Sequence, residues 1–187
     1  MMAKFLFDRT ISFIALLILM PFLVILILIS SIETQSFGLF TQKRVGQYGR
    51  IFNIFKIKTI HPKNGHISRW NSFLRKSKID ELPQLFNILI GEMSFVGPRP
   101  DIPGYYDQLH SSQHEVLNLK PGLTCEASLK YADEEVLLES QDDPLTYNDD
   151  VIFPDKVRMN LDYYHKRNFY LDLKIIFRTL FYHSKSK

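Results

Sequence analysis

Hydrophobic residues form one long uninterrupted block near the start of this chain. No charged residue occurs between Thr10 and Ile32, and residues 11–29 are almost wholly apolar. A helix of about 20 residues crosses the roughly 30 Å hydrocarbon layer of a bilayer. The block is longer than the apolar region of a signal peptide, and no small-residue cleavage site stands out. The pattern therefore predicts a membrane helix within residues 1–35 and a separate domain over residues 36–187.

Two features of this block favour a helix that enters the membrane and returns to the same face. Pro21 lies at its centre, where a proline removes a backbone hydrogen bond and bends the helix axis. Basic residues tend to stay on the cytoplasmic side, and they flank the block at both ends: Lys4, Arg9, Lys43, Arg44 and Arg50. We expect a re-entrant helix broken at Met20–Pro21. A kinked helix that spans the membrane is the alternative.

A second helical pattern begins near Asp80. Apolar positions recur there at i, i+3, i+4 and i+7: Leu82, Leu85, Phe86 and Leu89. A proline is tolerated in the first turn of a helix, so Pro83 predicts that the helix starts near Asp80. Gly91 is a natural end, because glycine readily adopts the left-handed conformation that terminates helices.

The last helical pattern covers residues 169–181. Its apolar face consists of Phe169, Leu173, Ile176, Phe177 and Leu180. Lys174 and Arg178 lie off that face. This composition is typical of an amphipathic helix in the lipid headgroup layer. Packing of the same face on the core of the domain is the alternative.

Mixed apolar and polar residues over 40–60 indicate β-structure. Gly46 and Gly49 punctuate this segment, which predicts a hairpin or loop followed by a strand. Together with the helical patterns, this segment predicts a mostly helical α+β fold.

Charge is distributed unevenly along the chain. Residues 1–80 carry a net charge of +9, residues 81–160 carry −10, and residues 161–187 carry +4. A basic surface suits anionic lipid, a nucleotide phosphate or nucleic acid, but no nucleic-acid motif accompanies it. Cys125 is the only cysteine, so the chain has no internal disulfide and no cysteine metal cluster.

The adjacent acids Asp80 and Glu81 are the main candidates for chemistry. They follow a basic run of Arg75, Lys76 and Lys78 and stand at the expected start of a helix. The positive end of the helix dipole and nearby cations both favour the ionised carboxylate. Such a carboxylate can act as a nucleophile or as an oxygen ligand for Mg²⁺. Ordinary first-turn acids that cap a helix are the alternative.

The wider string LRKSKIDELPQLFNILIGEMSFVGPRP closely resembles the signature of the bacterial sugar transferase family, the monotopic polyprenyl-phosphate phosphoglycosyl transferases. Three further stretches resemble other family motifs: Phe40-x-Gln42-x-Arg44-x-Gly46-x-x-Gly49-x-x-Phe52, Lys120-Pro121-Gly122-Leu123-Thr124 and Asn160-Leu161-Asp162-Tyr163-Tyr164. The resemblance extends over most of the chain. It implies a re-entrant membrane helix and a small cytosolic catalytic domain with interfacial amphipathic helices.

The resemblance also implies roles for individual residues. Asp80 is the expected nucleophile, and Glu81 the expected magnesium ligand or positioner of Asp80. Basic residues at family positions are expected to bind substrate phosphate: Arg44, Lys58, Arg75 and Arg99. A salt bridge with Asp101 is the alternative for Arg99. Asp162 is expected to orient the substrate or a cation, or else it is an acid on a helix surface.

The implied reaction is the transfer of a sugar 1-phosphate from a UDP-sugar to a polyprenyl phosphate. It releases UMP and passes through an aspartyl phosphosugar, with Mg²⁺ as cofactor. We expect the protein at the bacterial inner membrane, with its catalytic domain on the cytoplasmic face and a homodimer possible in principle. A glycosyltransferase that releases UDP and a non-enzymatic membrane adaptor in a polysaccharide assembly complex are the competing hypotheses.

The chain departs from the family pattern at two places. Lys56-Ile57-Lys58 stands where relatives often have Lys-Phe-Arg, and lysine lacks the bidentate fork of arginine. Residues 125–131 replace a Gly-Trp-Ala-Gln run that many relatives carry after the Lys-Pro-Gly turn. The second departure leaves the donor sugar open.

Overall fold

The computed structural model describes the backbone of residues 2–185 and the side chains of residues 2–181. The helices are α1 (Met2–Thr34), α2 (Arg69–Lys76), α3 (Gln84–Ile90), α4 (Glu126–Lys130), α5 (Glu134–Glu139), α6 (Pro144–Tyr147), α7 (Phe153–Lys166) and α8 (Phe169–Lys185). The strands are β1 (Leu39–Val45), β2 (Ile51–Ile57), β3 (Ser94–Val96) and β4 (Gly122–Thr124), and they form the pairs β1–β2 and β3–β4. The mostly helical α+β prediction is confirmed.

The described chain forms two compact units. The first contains the residues up to 44 together with 51–94, and the second contains 45–50 together with the chain from 95 onward. The predicted boundary at residue 35 stays a prediction, since it separates a membrane part from a cytosolic part.

Helix α1 dominates the first unit. It is the only helix in the described residues that is long and apolar enough to cross a membrane. The structure has one continuous helix with Pro21 inside it, rather than two helices separated by non-helical residues at Met20–Pro21. The return of the chain to the same membrane face stays a prediction.

The end of α1 is held against the β1–β2 hairpin by the buried Ser30 hydroxyl, which donates a hydrogen bond to the Lys58 carbonyl oxygen. Within α1, Thr34 Oγ1 donates to the Ser30 carbonyl oxygen at 2.7 Å. Gly38 allows this close approach, because a Cβ atom there would lie 2.1 Å from the Ile27 carbonyl oxygen. The hairpin predicted around Gly46 and Gly49 is therefore anchored directly to the apolar helix.

Two hydrophobic clusters form the core of the second unit. One contains Val45, Tyr106, Leu109, Val116, Leu117 and Val157, and the other contains Val96, Leu119, Tyr163 and Ile175. Buried polar groups in these clusters are paired. Asn160 Nδ2 donates to the Tyr106 hydroxyl at 2.9 Å, and the Tyr163 hydroxyl donates to Asp172 Oδ1 at 2.5 Å.

Helix α8 begins at Phe169 as predicted, but it packs on the core through a different face. Asp172 and Ile175 are buried, whereas Phe177 is 57% and Leu180 64% exposed. Of the predicted apolar face, Ile176 packs against the core, whereas Phe177 and Leu180 are exposed, so the interfacial position of this face stays a prediction. Asp172 can be buried on the core side because Tyr163 donates a hydrogen bond to it, which the sequence pattern alone does not indicate.

Candidate active site

Asp80 and Glu81 lie on a short 3₁₀ turn, Ile79–Glu81, between α2 and α3. Lys78 precedes the turn in the left-handed conformation, with φ of 57°, and its carbonyl oxygen accepts a hydrogen bond from the Glu81 amide at 3.1 Å. Pro83 then caps α3. The predicted helix is thus present, but a 3₁₀ turn carries the acids and the α-helix starts at Gln84.

The end of α3 agrees with the sequence. Gly91 adopts φ of 94°, and its amide donates to the Asn87 and Ile88 carbonyl oxygens. Only Leu85 of the predicted apolar face is fully buried, whereas the polar Gln84 and Asn87 are buried as well. The helix is therefore held by polar contacts in addition to apolar packing.

Both carboxylates of the dyad are removed from solvent. Asp80 is 7% exposed and Glu81 5% exposed. Burial, and after it the neighbouring Glu81 carboxylate, raises the pKa of Asp80 from 3.8 to about 6. Lys56, Lys78 and Arg75 oppose this shift. The sequence predicted that the helix terminus and the cations would hold this carboxylate ionised. Desolvation outweighs the cations and raises the pKa of Asp80, but a group with a pKa of about 6 is still mainly ionised at neutral pH.

The Oδ1 atom of Asp80 is buried and has no hydrogen-bond partner within the described part of the chain. Buried polar atoms are nearly always paired, so an unpaired buried carboxylate oxygen indicates a functional role. Such an oxygen retains a lone pair for nucleophilic attack or for a cation.

The two carboxylates of the dyad fit a magnesium site in which substrate phosphates supply the remaining ligands. No cluster of three or more histidine, cysteine, aspartate or glutamate side chains suited to a metal occurs in the described residues. Mg²⁺ is commonly bound by one or two carboxylates together with substrate phosphates, and does not need a complete protein cage. Asp80, with its unpaired Oδ1, and Glu81 supply the carboxylates.

Lys56 on β2 is the closest cationic partner of the dyad. Its Nζ atom lies 3.2 Å from Glu81 Oε1, and the two side chains are 19% and 7% exposed. Sequence reasoning assigned a role to Lys58 and missed Lys56. The signal was available in the family resemblance, because Lys56 matches the lysine of the Lys-Phe-Arg run that relatives often have, whereas Lys58 stands at the altered third position.

Lys58 itself lies beside the end of α1. Its Nζ atom donates to Ser36 Oγ at 3.2 Å, and its amide donates to the Gly38 carbonyl oxygen at 2.7 Å. The structure therefore gives Lys58 a contact that anchors the hairpin. Its predicted contact with substrate phosphate stays a prediction.

Asn87 fixes α3 onto the strand that carries Lys56, and sequence reasoning missed it. Its Oδ1 atom accepts from the Phe55 amide at 3.2 Å, and its Nδ2 atom donates to the Asn53 carbonyl oxygen at 2.7 Å and to Glu92 Oε2 at 2.8 Å. The side chain is fully buried. In the sequence it is one polar residue among apolar ones, and nothing local indicates that it joins two elements.

The two predicted phosphate-binding arginines of the first unit differ in their relation to the dyad. Arg75 lies in the last turn of α2 and is close enough to lower the pKa of Asp80. Arg44 lies on β1, where its Nη2 atom donates to Gln42 Oε1 at 2.7 Å. The structure thus brings Arg75 to the dyad together with Lys56 and Lys78.

Arg99 and Asp162 belong to the second unit. Arg99 is half-buried between two prolines. The Asp162 side chain is 55% exposed on α7, and its Oδ2 atom lies 3.8 Å from Arg158 Nη1. This exposure favours the alternative of a surface acid. The predicted substrate contacts of both residues stay predictions.

The GPRP and KPG motifs of the second unit cross each other at two glycines. A Cβ atom at Gly97 would lie 2.1 Å from the Lys120 carbonyl oxygen, and one at Gly122 would lie 2.1 Å from the Gly97 nitrogen. The Gly122 amide donates to the Pro98 carbonyl oxygen at 2.8 Å. Backbone contact therefore explains why both motifs contain glycine, and it fixes the segment that leads to Arg99.

The chain was compared with known proteins. The sequence profile described as "Bacterial sugar transferase" matches residues 1–186. An undecaprenyl-phosphate glucose phosphotransferase of Komagataeibacter xylinus is 34% identical over 96% of this chain and 35% of its own length. An exopolysaccharide production protein, PSS, of Rhizobium leguminosarum bv. phaseoli is 30% identical over 93% of this chain and 91% of its own length.

A third relative has a name that specifies a different sugar. A putative undecaprenyl-phosphate N-acetylgalactosaminyl 1-phosphate transferase of Bacillus subtilis (strain 168) is 33% identical over 63% of this chain and 68% of its length. The chain spans about a third of the Komagataeibacter relative and most of the Rhizobium one. The match over nearly the whole sequence establishes that this chain belongs to the bacterial sugar transferase family.

Proposed function

We propose that this protein transfers a sugar 1-phosphate from a UDP-sugar to a polyprenyl phosphate, releasing UMP and forming a polyprenyl diphosphosugar. The observation that carries the proposal is the buried Asp80 carboxylate, whose Oδ1 atom has no hydrogen-bond partner in the described residues. The names of the relatives support the same class of reaction, since the Komagataeibacter protein is an undecaprenyl-phosphate glucose phosphotransferase.

In the first step, an oxygen of Asp80 attacks the phosphorus atom bonded to the sugar. A bond forms between Asp80 and that phosphorus, and the phosphoanhydride bond to UMP breaks, so that the bridging oxygen and its electron pair leave with UMP. The pKa of about 6 leaves Asp80 mainly ionised at neutral pH, as a nucleophile requires. Lys56, Lys78 and Arg75 surround the turn with positive charge that favours binding of phosphate.

In the second step, a phosphate oxygen of the polyprenyl phosphate attacks the same phosphorus atom. The bond between phosphorus and Asp80 breaks, which restores the carboxylate and releases the polyprenyl diphosphosugar. Because the transfer takes two displacements, the water-soluble donor and the lipid acceptor react with Asp80 and its phosphosugar adduct one after the other and need not bind simultaneously.

Glu81 and Asp80 are the residues that would hold Mg²⁺, which when bound neutralises charge on diphosphate oxygens. The Lys56 ion pair holds the Glu81 carboxylate beside the turn and limits its rotation. Glu81 thereby keeps a fixed orientation relative to Asp80.

Contacts at the two ends of α1 support a re-entrant arrangement. Near the start, Ser94 Oγ donates to Asp8 Oδ2 at 2.7 Å, and near the end Ser30 donates to the Lys58 carbonyl oxygen. All four residues belong to the same compact unit. A straight helix separates residues 8 and 30 by about 33 Å, which exceeds the roughly 30 Å hydrocarbon layer.

A helix that spans the bilayer has its two ends on opposite faces, whereas the partners of the two ends, Ser94 and Lys58, belong to one compact unit. Residues 39–94 contain no further candidate membrane helix. A bend at Pro21 would return the helix to the face that it entered. We therefore place the domain on the cytoplasmic face of the inner membrane, where the acceptor phosphate and the nucleotide sugar meet. A homodimer stays a prediction.

The deciding experiment measures nucleotide release from the full chain in nanodiscs that contain undecaprenyl phosphate and magnesium, with a panel of UDP-sugars. We expect UMP whose release depends on the lipid acceptor. We also expect Asp80→Asn to abolish both turnover and the covalent phosphosugar adduct seen by intact-protein mass spectrometry. Release of UDP would overturn the reaction type. Substantial turnover by Asp80→Asn would overturn the nucleophile.

A further inference from the structure

Helix α8 is apolar on two opposite sides, and only one of them packs on the domain. The core-facing side contributes the buried Ile175 and the partly buried Leu171 and Ile176, with Asp172 as its one buried charge. The other side exposes residues at helical spacing: Tyr170, Phe177 and Phe181, which are 78%, 57% and 65% exposed. A helix with hydrophobic residues all round is normally covered on every side, so the outer side of α8 requires an apolar neighbour.

The outer side of α8 forms one wall of an open groove of about 770 Å³. The groove lies entirely within the second unit, between α4, α7 and α8. Its apolar lining comprises Leu129, Met159, Tyr170, Leu173, Phe177 and Phe181. This volume is within the range of about 300–1,000 Å³ that is typical of ligand pockets.

Charged residues surround the groove with an excess of cations. Arg178 pairs with Glu126 at 2.5 Å, and Lys130 pairs with Asp155 at 2.6 Å. Lys174 also lines the groove and forms no hydrogen bond or ion pair with any described residue. The groove therefore presents an apolar floor with an uncompensated ammonium group at its edge.

The geometry points to a binding site for an anionic phospholipid, with one acyl chain in the groove between α4, α7 and α8 and the headgroup phosphate at Lys174. A ligand with a long apolar chain and a negative head matches both the lining and the charge. The inference requires a bilayer, for which α1 is the candidate membrane helix, and only its choice of a resident phospholipid over the acceptor lipid rests on the proposed function.

Three observations favour a resident phospholipid over other occupants. The acceptor phosphate must reach Asp80, and neither acid of the dyad lines the groove. A second protein copy would have to present a surface complementary to the groove, whereas an anionic headgroup by itself compensates the charge of Lys174. A soluble acidic peptide would leave the exposed aromatic rings of α8 facing water in the free protein.

The test uses the full chain in phosphatidylcholine nanodiscs that contain a small fraction of photoreactive phosphatidylglycerol, with the diazirine in the acyl chain. Photoreactive phosphatidylcholine with the same chain serves as the matched lipid. After irradiation, labelled peptides are identified by mass spectrometry. We expect labelling of Leu173 and Phe177 to be about fivefold greater from phosphatidylglycerol, the size expected for one cation near an anionic headgroup.

Matched variants separate the groove from the rest of the helix. Lys174→Gln should remove the preference for phosphatidylglycerol, and Phe177→Ser should lower labelling by both lipids. Leu180→Ala and Lys166→Gln alter exposed residues outside the groove and should change neither result. Thermal unfolding of each variant checks folding, and Lys174→Gln alters an exposed side chain that no core contact needs.

Several results would overturn the inference. Equal labelling by the two lipids, or equal labelling of Leu180 and the groove, would indicate general bilayer contact. Loss of groove labelling on addition of undecaprenyl phosphate would assign the groove to the acceptor. Crosslinked pairs of chains with an unlabelled groove would assign it to a dimer. UMP release is measured in the same nanodiscs, so an inactive protein that still shows selective labelling would contradict only the proposed reaction.

Discussion

The Lys56 ammonium lies 3.2 Å from Oε1 of Glu81, and this ion pair joins β2 to the turn that carries Asp80. It compensates one of two adjacent buried carboxylates, which would otherwise repel each other at close range. Lys56 therefore opposes the rise in the pKa of Asp80, although it lies 25 positions before Glu81 in the chain.

Replacement of Lys56 by methionine should raise the pKa of Asp80 and slow UMP release. The substitution keeps most of the apolar stem but removes the cation that lowers this pKa. A rise of about one unit would leave only about half of Asp80 ionised at pH 7, and the loss of Glu81 orientation would reduce the rate further. The pH–rate profile of UMP release measures the shift.

Lys56→Arg retains the positive charge, so its pH–rate profile of UMP release should be close to that of the unchanged protein. Lys63→Met, at an exposed position, is the control for loss of a lysine. An unchanged profile in Lys56→Met would refute the electrostatic role of Lys56.

Activity and stability should respond to pH in opposite directions around pH 6. The pKa of Asp80 is raised from 3.8 to about 6 in the folded protein, first by burial and then by Glu81. The native state therefore holds this proton more tightly than the unfolded state does. Its stabilising effect is complete below about pH 3.8 and is lost as the pH rises to about 6. Nucleophilic attack needs the ionised form, so UMP release should rise over the same interval.

The measurements are the melting temperature and the single-turnover rate as functions of pH. Asp80→Asn cannot titrate and should lose the part of the stability change that occurs between about pH 4 and 6. An identical pH dependence of melting in both proteins would show that Asp80 has an ordinary pKa.

Replacement of Asn87 by alanine should destabilise the fold by about 2–4 kcal/mol, because it leaves the Phe55 amide and the Asn53 carbonyl oxygen unpaired in a buried position. Glu92 also loses its amide partner. Thermal unfolding in detergent measures the effect. Asn64→Ala, at an exposed position, is the control and should change the melting temperature little. Equal effects in the two variants would contradict the anchoring role.

Alanine at Gly97 should be far more damaging than alanine at Gly65. A Cβ atom at Gly97 would lie 2.1 Å from the Lys120 carbonyl oxygen, so the β3–β4 crossing would have to separate. Gly65 has φ of +68° with nothing within 4 Å of a new Cβ atom, so alanine there costs only the left-handed strain of about 1 kcal/mol. Expression level and melting temperature compare the two. Comparable losses would indicate that the crossing is not tight.

Local sequence patterns were sufficient to predict three helical features. The apolar block predicted α1, Gly91 predicted the end of α3, and the apolar spacing predicted a helix beginning at Phe169. The DELPQ string and the motifs around it were sufficient for the family, and the comparison confirmed it. These signals succeed because helix periodicity and capping involve residues within a few positions of each other.

The sequence by itself thus determined the long apolar helix, the mostly helical fold and the family, since each is encoded in contiguous stretches of the chain. Only the tertiary structure decided that burial raises the pKa of Asp80. It also supplied Lys56 as the partner of Glu81, Asn87 as the link to β2, and the core-facing side of α8. Each of these depends on desolvation or on contacts between residues distant in the chain, which the folded packing creates and a local pattern does not encode.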